Sequence, residues 1–241
     1  MLPAHNEEDN ILGALDAATK VAERLFADHE IIVVDDGSTD QTADLVRERA
    51  ALDPRIRLVQ HARNGGYGRA LRSGFQAARM ELVFFTDADN QFDLEELERF
   101  LPWIDRVHVV AGYRIDRQDP LVRRVVAQIW NYVVRVLFYV PVRDIDCAFK
   151  LFRRSVFDEL DLQAVGNIVN TELMVKLGRS GCGVVEVGVS HYPRTAGRAR
   201  GVNAKVVATA VAELFLMYGK LQSAAPVAVQ PPARPRGDDH V

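Results

Sequence analysis

Apolar runs and polar breaks alternate along this chain, and their periods predict most of its elements. The β-branched run Glu30 to Val34 ends in Asp35-Asp36-Gly37-Ser38, a strand entering a turn that can present carboxylates. Ser38 to Thr42 supplies helix-start chemistry before a helix over Ala43 to Ala51, and Ile56 to Gln60 reads as a second strand. Asn64-Gly65-Gly66-Tyr67-Gly68 is a glycine-rich bend into a helix over Arg69 to Ala78, followed by a strand over Leu82 to Thr86. Asp93 to Trp103 predicts a helix with an acidic first turn, Val107 to Tyr113 a strand, and Leu121 to Tyr139 a longer helix. The order βαβαβαβ predicts an α/β fold: a Rossmann-like, mostly parallel sheet flanked by helices. Such a sheet needs an apolar strand before the turn Pro3-Ala4-His5-Asn6-Glu7, and none is visible. The first strand is therefore expected to be missing.

Composition adds limits. A chain of 241 residues, 48% apolar, fits one globular α/β domain, expected over 1–203. A helix is expected over 204–222, where Val206, Val207, Ala210, Val211, Leu214, Phe215 and Tyr218 recur at helical spacing. The stretch 223–241, rich in Ala, Pro, Arg and Asp without periodicity, is expected to be disordered. A net charge of −3 gives no general attraction for nucleic acid. Cys147 and Cys182 have no pairing or metal-ligand pattern, which points to a reducing compartment and buried thiols. No leader-like segment and no uncharged apolar run of spanning length is visible, so peripheral rather than spanning membrane contact is expected.

The chemistry concentrates after the Leu82 to Thr86 strand, in Asp87-Ala88-Asp89-Asn90-Gln91. Two carboxylates one residue apart at the carboxyl end of a buried strand form an oxygen-ligand site where open α/β sheets bind ligands. If extended geometry persists, Asp87, Asp89 and Gln91 share one side. Mg²⁺ takes one or two protein carboxylates and leaves its other positions to phosphate and water, which suits a metal-held diphosphate.

The motifs resemble those of family-2 glycosyltransferases with the GT-A fold, above all the polyprenyl-phosphate glycosyltransferases of the dolichol-phosphate mannosyltransferase type. Leu2-Pro3-Ala4-His5-Asn6-Glu7-Glu8 looks like the family's opening turn, Val34-Asp35-Asp36-Gly37-Ser38-Thr39-Asp40 like its nucleotide turn, and Asp87 to Gln91 like its metal site. Gly112-Tyr113-Arg114, Asn131 with Arg135, Asp144-Ile145-Asp146-Cys147-Ala148-Phe149-Lys150 and Arg194-Thr195-Ala196-Gly197 follow in the family's order. The resemblance implies sugar transfer, of mannose or glucose, from a nucleotide-diphosphate donor to a polyprenyl phosphate at the cytoplasmic face of a membrane. It implies donor contacts from Pro3, Ala4, Asn6, Glu7, Asp36, Asp87, Ala88 and Asp89, and a Mg or Mn ion on Asp87, Asp89 and Gln91. Catalytic roles fall to Asp87, Asp89, Arg114, Arg135 and Arg194.

The residues themselves sharpen these roles. A departing diphosphate develops negative charge that fixed positive charge must stabilise, while Asp36 and Glu7 suit hydrogen bonds from a base edge or ribose. His5 is open to two readings, stacking on the base or a solvated turn residue. On the helix Leu121 to Tyr139, Arg124, Gln128, Asn131 and Arg135 share one face, and with Arg114 and Arg194 they are candidates to hold the acceptor phosphate. A phosphate acceptor, with its second pKa near about 6, needs no general base. A hydroxyl acceptor would need one, from Glu172, Asp144 or Asp146. A hydroxyl-directed family-2 enzyme and a non-catalytic nucleotide-sugar-binding protein remain the alternatives.

Overall fold

The computed structural model describes residues 1–115, 121–140, 142–158, 160–194, 196 and 204–223, with backbone alone at 121–123, 204–210 and 222–223. Three strands, β1 (Leu2–Ala4), β2 (Ile31–Asp35) and β3 (Ile56–Gln60), form a parallel sheet in the order β1-β2-β3. Four more, β4 (Leu82–Thr86), β5 (Val109–Ile115), β6 (Phe149–Arg153) and β7 (Val184–Ser190), lie in the order β4-β6-β5-β7. The halves meet at Met1, whose nitrogen donates to the Phe84 carbonyl (2.8 Å) and whose carbonyl accepts from Thr86 N–H (3.2 Å). Those two bonds have the slant of a parallel ladder, so β1 and β4 are neighbours at the centre of one layered sheet.

The expectation of a missing first strand is corrected here. Leu2, Pro3 and Ala4, read from sequence as a turn, form β1, fully buried and in register with Val33, Val34 and Asp35. Three residues that include a proline carry no visible period. Flanking strands on both sides nonetheless give them partners. Beneath this short strand lies an apolar cavity of about 350 Å³ lined by Met1, Ile31, Ile32, Leu82, Val83 and Phe84 among others.

The parallel expectation holds for β1, β2 and β3 and for the β5–β7 pair, while β6 runs antiparallel to both β4 and β5. Helices α1 (Ile11–Leu25), α2 (Thr42–Leu52) and α3 (Tyr67–Ala77) provide the crossovers of the first half. The helix expected over Asp93 to Trp103 is a 3₁₀ segment, Leu94–Phe100, running into the short α4 (Leu101–Ile104), with Asp93 capping the Glu95 N–H. The second half carries α5 (Leu121–Phe138), α6 (Val169–Arg179) and α7 (Ala204–Ser223). Leu214 and Leu221 of α7 are buried in the same core as Val134 and Phe138 of α5, and the Phe138 and Tyr218 rings lie 5.6 Å apart. The tail expected to be disordered lies, beyond Ser223, outside the described residues, as do the side chains of Val206, Val207 and Ala210.

Glu172 of α6 is fully buried, and its carboxylate accepts from Gln163 N–H (2.9 Å), Ala164 N–H (2.7 Å) and Lys176 Nζ (2.7 Å). That anchors the 163–165 backbone, on which α3 begins: Gly68 N–H donates to Val165 O at 2.7 Å, and a Cβ on Gly68 would meet Ala164 O at 2.2 Å. Glu172 is thus placed as a brace, away from the general-base candidacy read from sequence. Replacing it with Gln should cost about 1–3 kcal/mol, because a buried charge-assisted network is left half satisfied. Urea denaturation measures this, and an unchanged midpoint with lost activity would return Glu172 to the candidate bases.

Candidate active site

The chain leaves the ladder after Thr86 and turns through Ala88 to Asn90, whose φ of 58° is held by its side-chain amide donating to Asn10 O at 3.0 Å. Ala88 is buried beneath the turn, so Asp87 and Asp89 are presented on either side of a packed anchor. The strand alternation expected to carry Gln91 to the same side does not persist. Gln91 N–H instead caps Asp89 Oδ1 (3.2 Å), and its side-chain amide donates to Tyr192 O (2.9 Å), tying the turn to the segment after β7.

Burial, and then the adjacent charge of Asp89, push the Asp87 carboxyl up to about 7. Asp89 is also raised, first by burial, while the Gln91 N–H and the Arg194 charge oppose the shift. Tyr67, from the glycine-rich bend, donates its phenol to Asp87 Oδ1 at 2.9 Å. Burial, then the Asp87 charge, raises that phenol well above its ordinary range, so it stays a donor. Two under-neutralised carboxylates fit a hard divalent ion that draws its other ligands from phosphate and water. Among the described residues no group of three His, Cys, Asp or Glu is assembled to hold a metal alone. Both Mg and Mn match this donor set.

The nucleotide-turn residues are tied to one another. Asn6 Oδ1 accepts from Thr39 N–H (2.8 Å), Asn6 N–H donates to Ser38 Oγ (2.9 Å), and Glu7 N–H donates to Thr42 Oγ1 (2.8 Å). Ala4 O accepts from Asp36 N–H (2.8 Å), and His5 Nδ1 lies 2.8 Å from Asp36 O. Asp36, expected to contact a base or ribose, has an internal task instead. Its carboxylate accepts from His61 Nδ1 (2.7 Å), Gly65 N–H (2.9 Å) and Gly66 N–H (2.8 Å), and His61 Nε2 meets Ser73 Oγ at 2.8 Å. Gly66, at φ 89°, can turn both amides inward only because it lacks a side chain. Asp36 therefore sets the bend that delivers Tyr67 to Asp87.

The arginines do not form the open cluster read from sequence. Arg114 makes a fork on Asp144, Nε to Oδ2 at 2.6 Å and Nη2 to Oδ1 at 2.7 Å. Burial opposes its charge, but the Asp144 bonds outweigh this and hold the guanidinium above its ordinary pKa. Arg194 pairs with Glu7, donates from Nε to Ala196 O (2.7 Å), and places Nη1 4.0 Å from Asp89 Oδ2. That puts it beside Asp89 rather than on a separate acceptor side; Thr195 and Gly197 of its motif lie outside the described residues. Arg135 is exposed on α5 and acts on Glu186 of β7, while Asn131, on the same stripe, is buried and accepts from Ile145 N–H at 2.9 Å. Buried charges need partners, which is why Arg114 and Arg194 are paired and Arg135 is not drawn in with them.

Sequence reading names Lys150 only as the end of a motif and gives it no role. It is fully buried in β6, donates to Ile145 O (3.0 Å) and Cys147 O, and lies 5.5 Å from the Phe85 ring centre. It fixes the Asp144–Cys147 turn and lends positive charge to Asp87. The available signal was a lysine inside an otherwise apolar strand. Burial lowers its pKa. Both cysteines are buried, as expected, and burial pushes the Cys147 and Cys182 thiols up to about 12 and 11.

The geometry has counterparts among known proteins. The sequence profile described as "Glycosyl transferase family 2" matches residues 1–161. The chain belongs to glycosyl transferase family 2. The resemblance drawn from its motifs is thereby borne out. It is 31% identical over 163 residues to an undecaprenyl-phosphate 4-deoxy-4-formamido-L-arabinose transferase of Aeromonas hydrophila, covering 66% of this chain and 50% of that one. It is 31% identical over 173 residues to a dolichyl-phosphate beta-glucosyltransferase of Trichomonas vaginalis, covering 64% and 51%. The chain thus spans about half the length of the curated relatives it matches. The fold, of GT-A type, is shared with glucosyl-3-phosphoglycerate synthase of Mycobacterium tuberculosis, solved with Mn²⁺, uridine diphosphate and phosphoglyceric acid. The TM-score is 0.67 at 21% identity, covering 93% of this chain and 78% of that one.

The Asp87 shift gives a pH prediction. A carboxyl raised in the folded state holds its proton more tightly there, so stability is lost as pH rises from the ordinary carboxylate range through about 7. Asp87→Asn, free of that penalty, should gain about 1–2 kcal/mol over the parent between pH 5 and 8 in chelator. Paired denaturation curves across that range check it; a constant difference would contradict the raised value.

Proposed function

We propose that the chain transfers a sugar from a nucleoside diphosphate donor to a polyprenyl phosphate, with a divalent cation held by Asp87 and Asp89. The observation that carries the reading is the pair of desolvated carboxylates at the end of β4, left short of positive charge by neighbours that are themselves paired. The named activities of the two relatives, transfer to undecaprenyl and dolichyl phosphates, support the acceptor class. The Mn²⁺ and uridine diphosphate in the related fold support the donor and metal. Glucose and mannose are the sugars to test first, alongside the modified arabinose of the bacterial relative.

A cation here would neutralise the diphosphate as it departs, the Lewis-acid role. The chain's own residues do the rest. Tyr67 holds Asp87 in place, Lys150 lends it positive charge, and Arg194, between Glu7 and Asp89, offers a guanidinium to the departing diphosphate. An acceptor phosphate oxygen forms the bond to the sugar's anomeric carbon as the bond to the nucleoside diphosphate breaks. At neutral pH that phosphate is largely dianionic, and no protein base is required. Asp144 is engaged by Arg114, which suits a shaping role better than proton abstraction.

Asp89→Ala should lower transfer about a thousandfold while the thermal transition survives, since several kcal/mol of charge stabilisation is removed. Transfer of labelled sugar from a donor panel to a short polyprenyl phosphate, with Mg or Mn and with chelator, measures it. Near-normal turnover of Asp89→Ala, or full activity in chelator, would refute the assignment. Arg194→Ala should weaken donor binding at least as much as acceptor use, and lysine should rescue it only partly. An effect confined to the acceptor would restore the separate acceptor side read from sequence.

A further inference from the structure

His61 follows directly on β3 and is buried, with 8% of the residue exposed. Its Nδ1 lies 2.7 Å from Asp36 Oδ1, its Nε2 lies 2.8 Å from Ser73 Oγ, and its own N–H donates to Asp35 O at 2.9 Å. A polar ring is costly to bury, and one with both nitrogens engaged by side chains is fixed in orientation as well as satisfied. Asp36, also buried, takes three donors. Two are the Gly65 and Gly66 amides, which belong to the bend before α3, and the third is His61.

These bonds reach α3 at two heights. The Gly65 and Gly66 amides tie its first turn to Asp36, whereas Ser73 lies seven residues after Gly66, about 10 Å further along the axis. Leu71 and Phe75 of α3 share a core with Val83 and Phe85 of β4, but apolar contacts of this kind have no direction. Two directed attachments fix the roll of the helix as well as its distance from the sheet. Roll decides where Tyr67, the first residue of α3, points its phenol, and that phenol donates to Asp87 Oδ1 at 2.9 Å. Among the described residues it is the one hydrogen-bond donor to Asp87. Hydrogen-bond partners of a metal-binding carboxylate commonly set its metal affinity within about 10–100-fold.

We propose that His61 is a positioning residue for the candidate metal site: with Ser73 and Asp36 it clamps α3, aims Tyr67 at Asp87, and thereby sets the affinity of the carboxylate pair for a divalent ion with a diphosphate. The affinity step rests on the reading of Asp87 and Asp89 as a metal–diphosphate site; the aiming of Tyr67 does not.

The test uses the full chain and reads the two steps separately. In chelator, ring-labelled tyrosine gives a Tyr67 magnetic resonance signal, identified by its loss in Tyr67→Phe. That signal should move in His61→Phe, move by less in Ser73→Ala, and stay in place in Ser73→Thr, which keeps the hydroxyl. Without chelator, electron paramagnetic resonance of Mn²⁺ with uridine diphosphate, the nucleotide found in the related fold, reads affinity. His61→Phe should lose about tenfold, Ser73→Ala a smaller factor, and Ser73→Thr should match the parent. In the Tyr67→Phe background, His61→Phe should lose nothing further, because the path it acts through is already cut. A histidine with a structural role alone would lower the urea midpoint while its effect on affinity, if any, multiplied with that of Tyr67→Phe. Multiplying losses in the double variant, or a Tyr67 signal unmoved in both His61→Phe and Ser73→Ala, would therefore overturn the proposal. If His61→Phe shows no cooperative urea transition, Ser73→Ala against Ser73→Thr carries the same comparison, in the parent and in the Tyr67→Phe background. A signal that moves as expected, in a protein whose parent form gains no Mn²⁺ affinity from uridine diphosphate, would uphold the aiming of Tyr67 and overturn the metal–diphosphate reading.

Discussion

Two carboxylates held largely out of water at the end of one central strand set the terms for the rest of this site. Asp87 and Asp89 repel each other and lack full solvation, and Glu7 adds its own charge beside Asp89, so the neighbouring donors and cations that relieve that charge or keep it in position decide the site. Tyr67 relieves it with a hydrogen bond, Lys150 with a buried ammonium, and Arg194 with a guanidinium 4.0 Å away. Among the described residues, the neighbouring positive groups are each held elsewhere. Arg114 is forked on Asp144, Arg194 is shared with Glu7, and Lys150 is fixed on backbone carbonyls. A site neutralised by its own lysines and arginines would have little use for a cation. This one retains negative charge that a divalent ion and a diphosphate can complete together.

The sheet explains how distant residues meet there. The Met1 bonds to β4 bring the nucleotide turn, after β1 and β2, to the same edge as the Asp87 turn. From that edge a chain of contacts runs through Ser73, His61 and Asp36 to the Gly65 and Gly66 amides, and so to Tyr67. A second brace, Glu172 on the 163–165 backbone, fixes the surface against which Gly68 packs. Read in one dimension as a donor contact and a candidate base, Asp36 and Glu172 act as architecture in three. Asp36 and Glu172 place other residues, whereas Asp87 and Asp89 are placed by them.

What was legible in the sequence follows from the range of the interactions involved. β3 and β4 were readable to the residue because five-residue apolar strands bounded by polar turns are local signals. The Asp87–Asp89 pair was readable for the same reason, since it follows directly on β4. β1 was misread because it is three residues long and owes its strand character to its two neighbours. Helix α1 went unread although Ile11, Ala14 and Leu15 carry its buried face, and β6 was hidden by Lys150 interrupting its apolar run. Gln91 was placed by an alternation that a turn at Asn90 ends. The partners of Arg114 and Arg194 lie 30 and 187 residues away in the chain, a separation that no local pattern reports.

The central claim is that Asp87 and Asp89 form half of a metal site whose other half is a nucleoside diphosphate. Electron paramagnetic resonance of Mn²⁺, titrated into the full chain with and without a nucleoside diphosphate, tests it most directly, because free and bound Mn²⁺ are counted without reference to turnover. The account predicts weak binding by the protein alone, affinity raised about tenfold or more by the diphosphate beyond that of the diphosphate in solution, and loss of this gain in Asp87→Asn, Asp89→Asn. Tight binding without diphosphate, or an undiminished gain in the double variant, would contradict it.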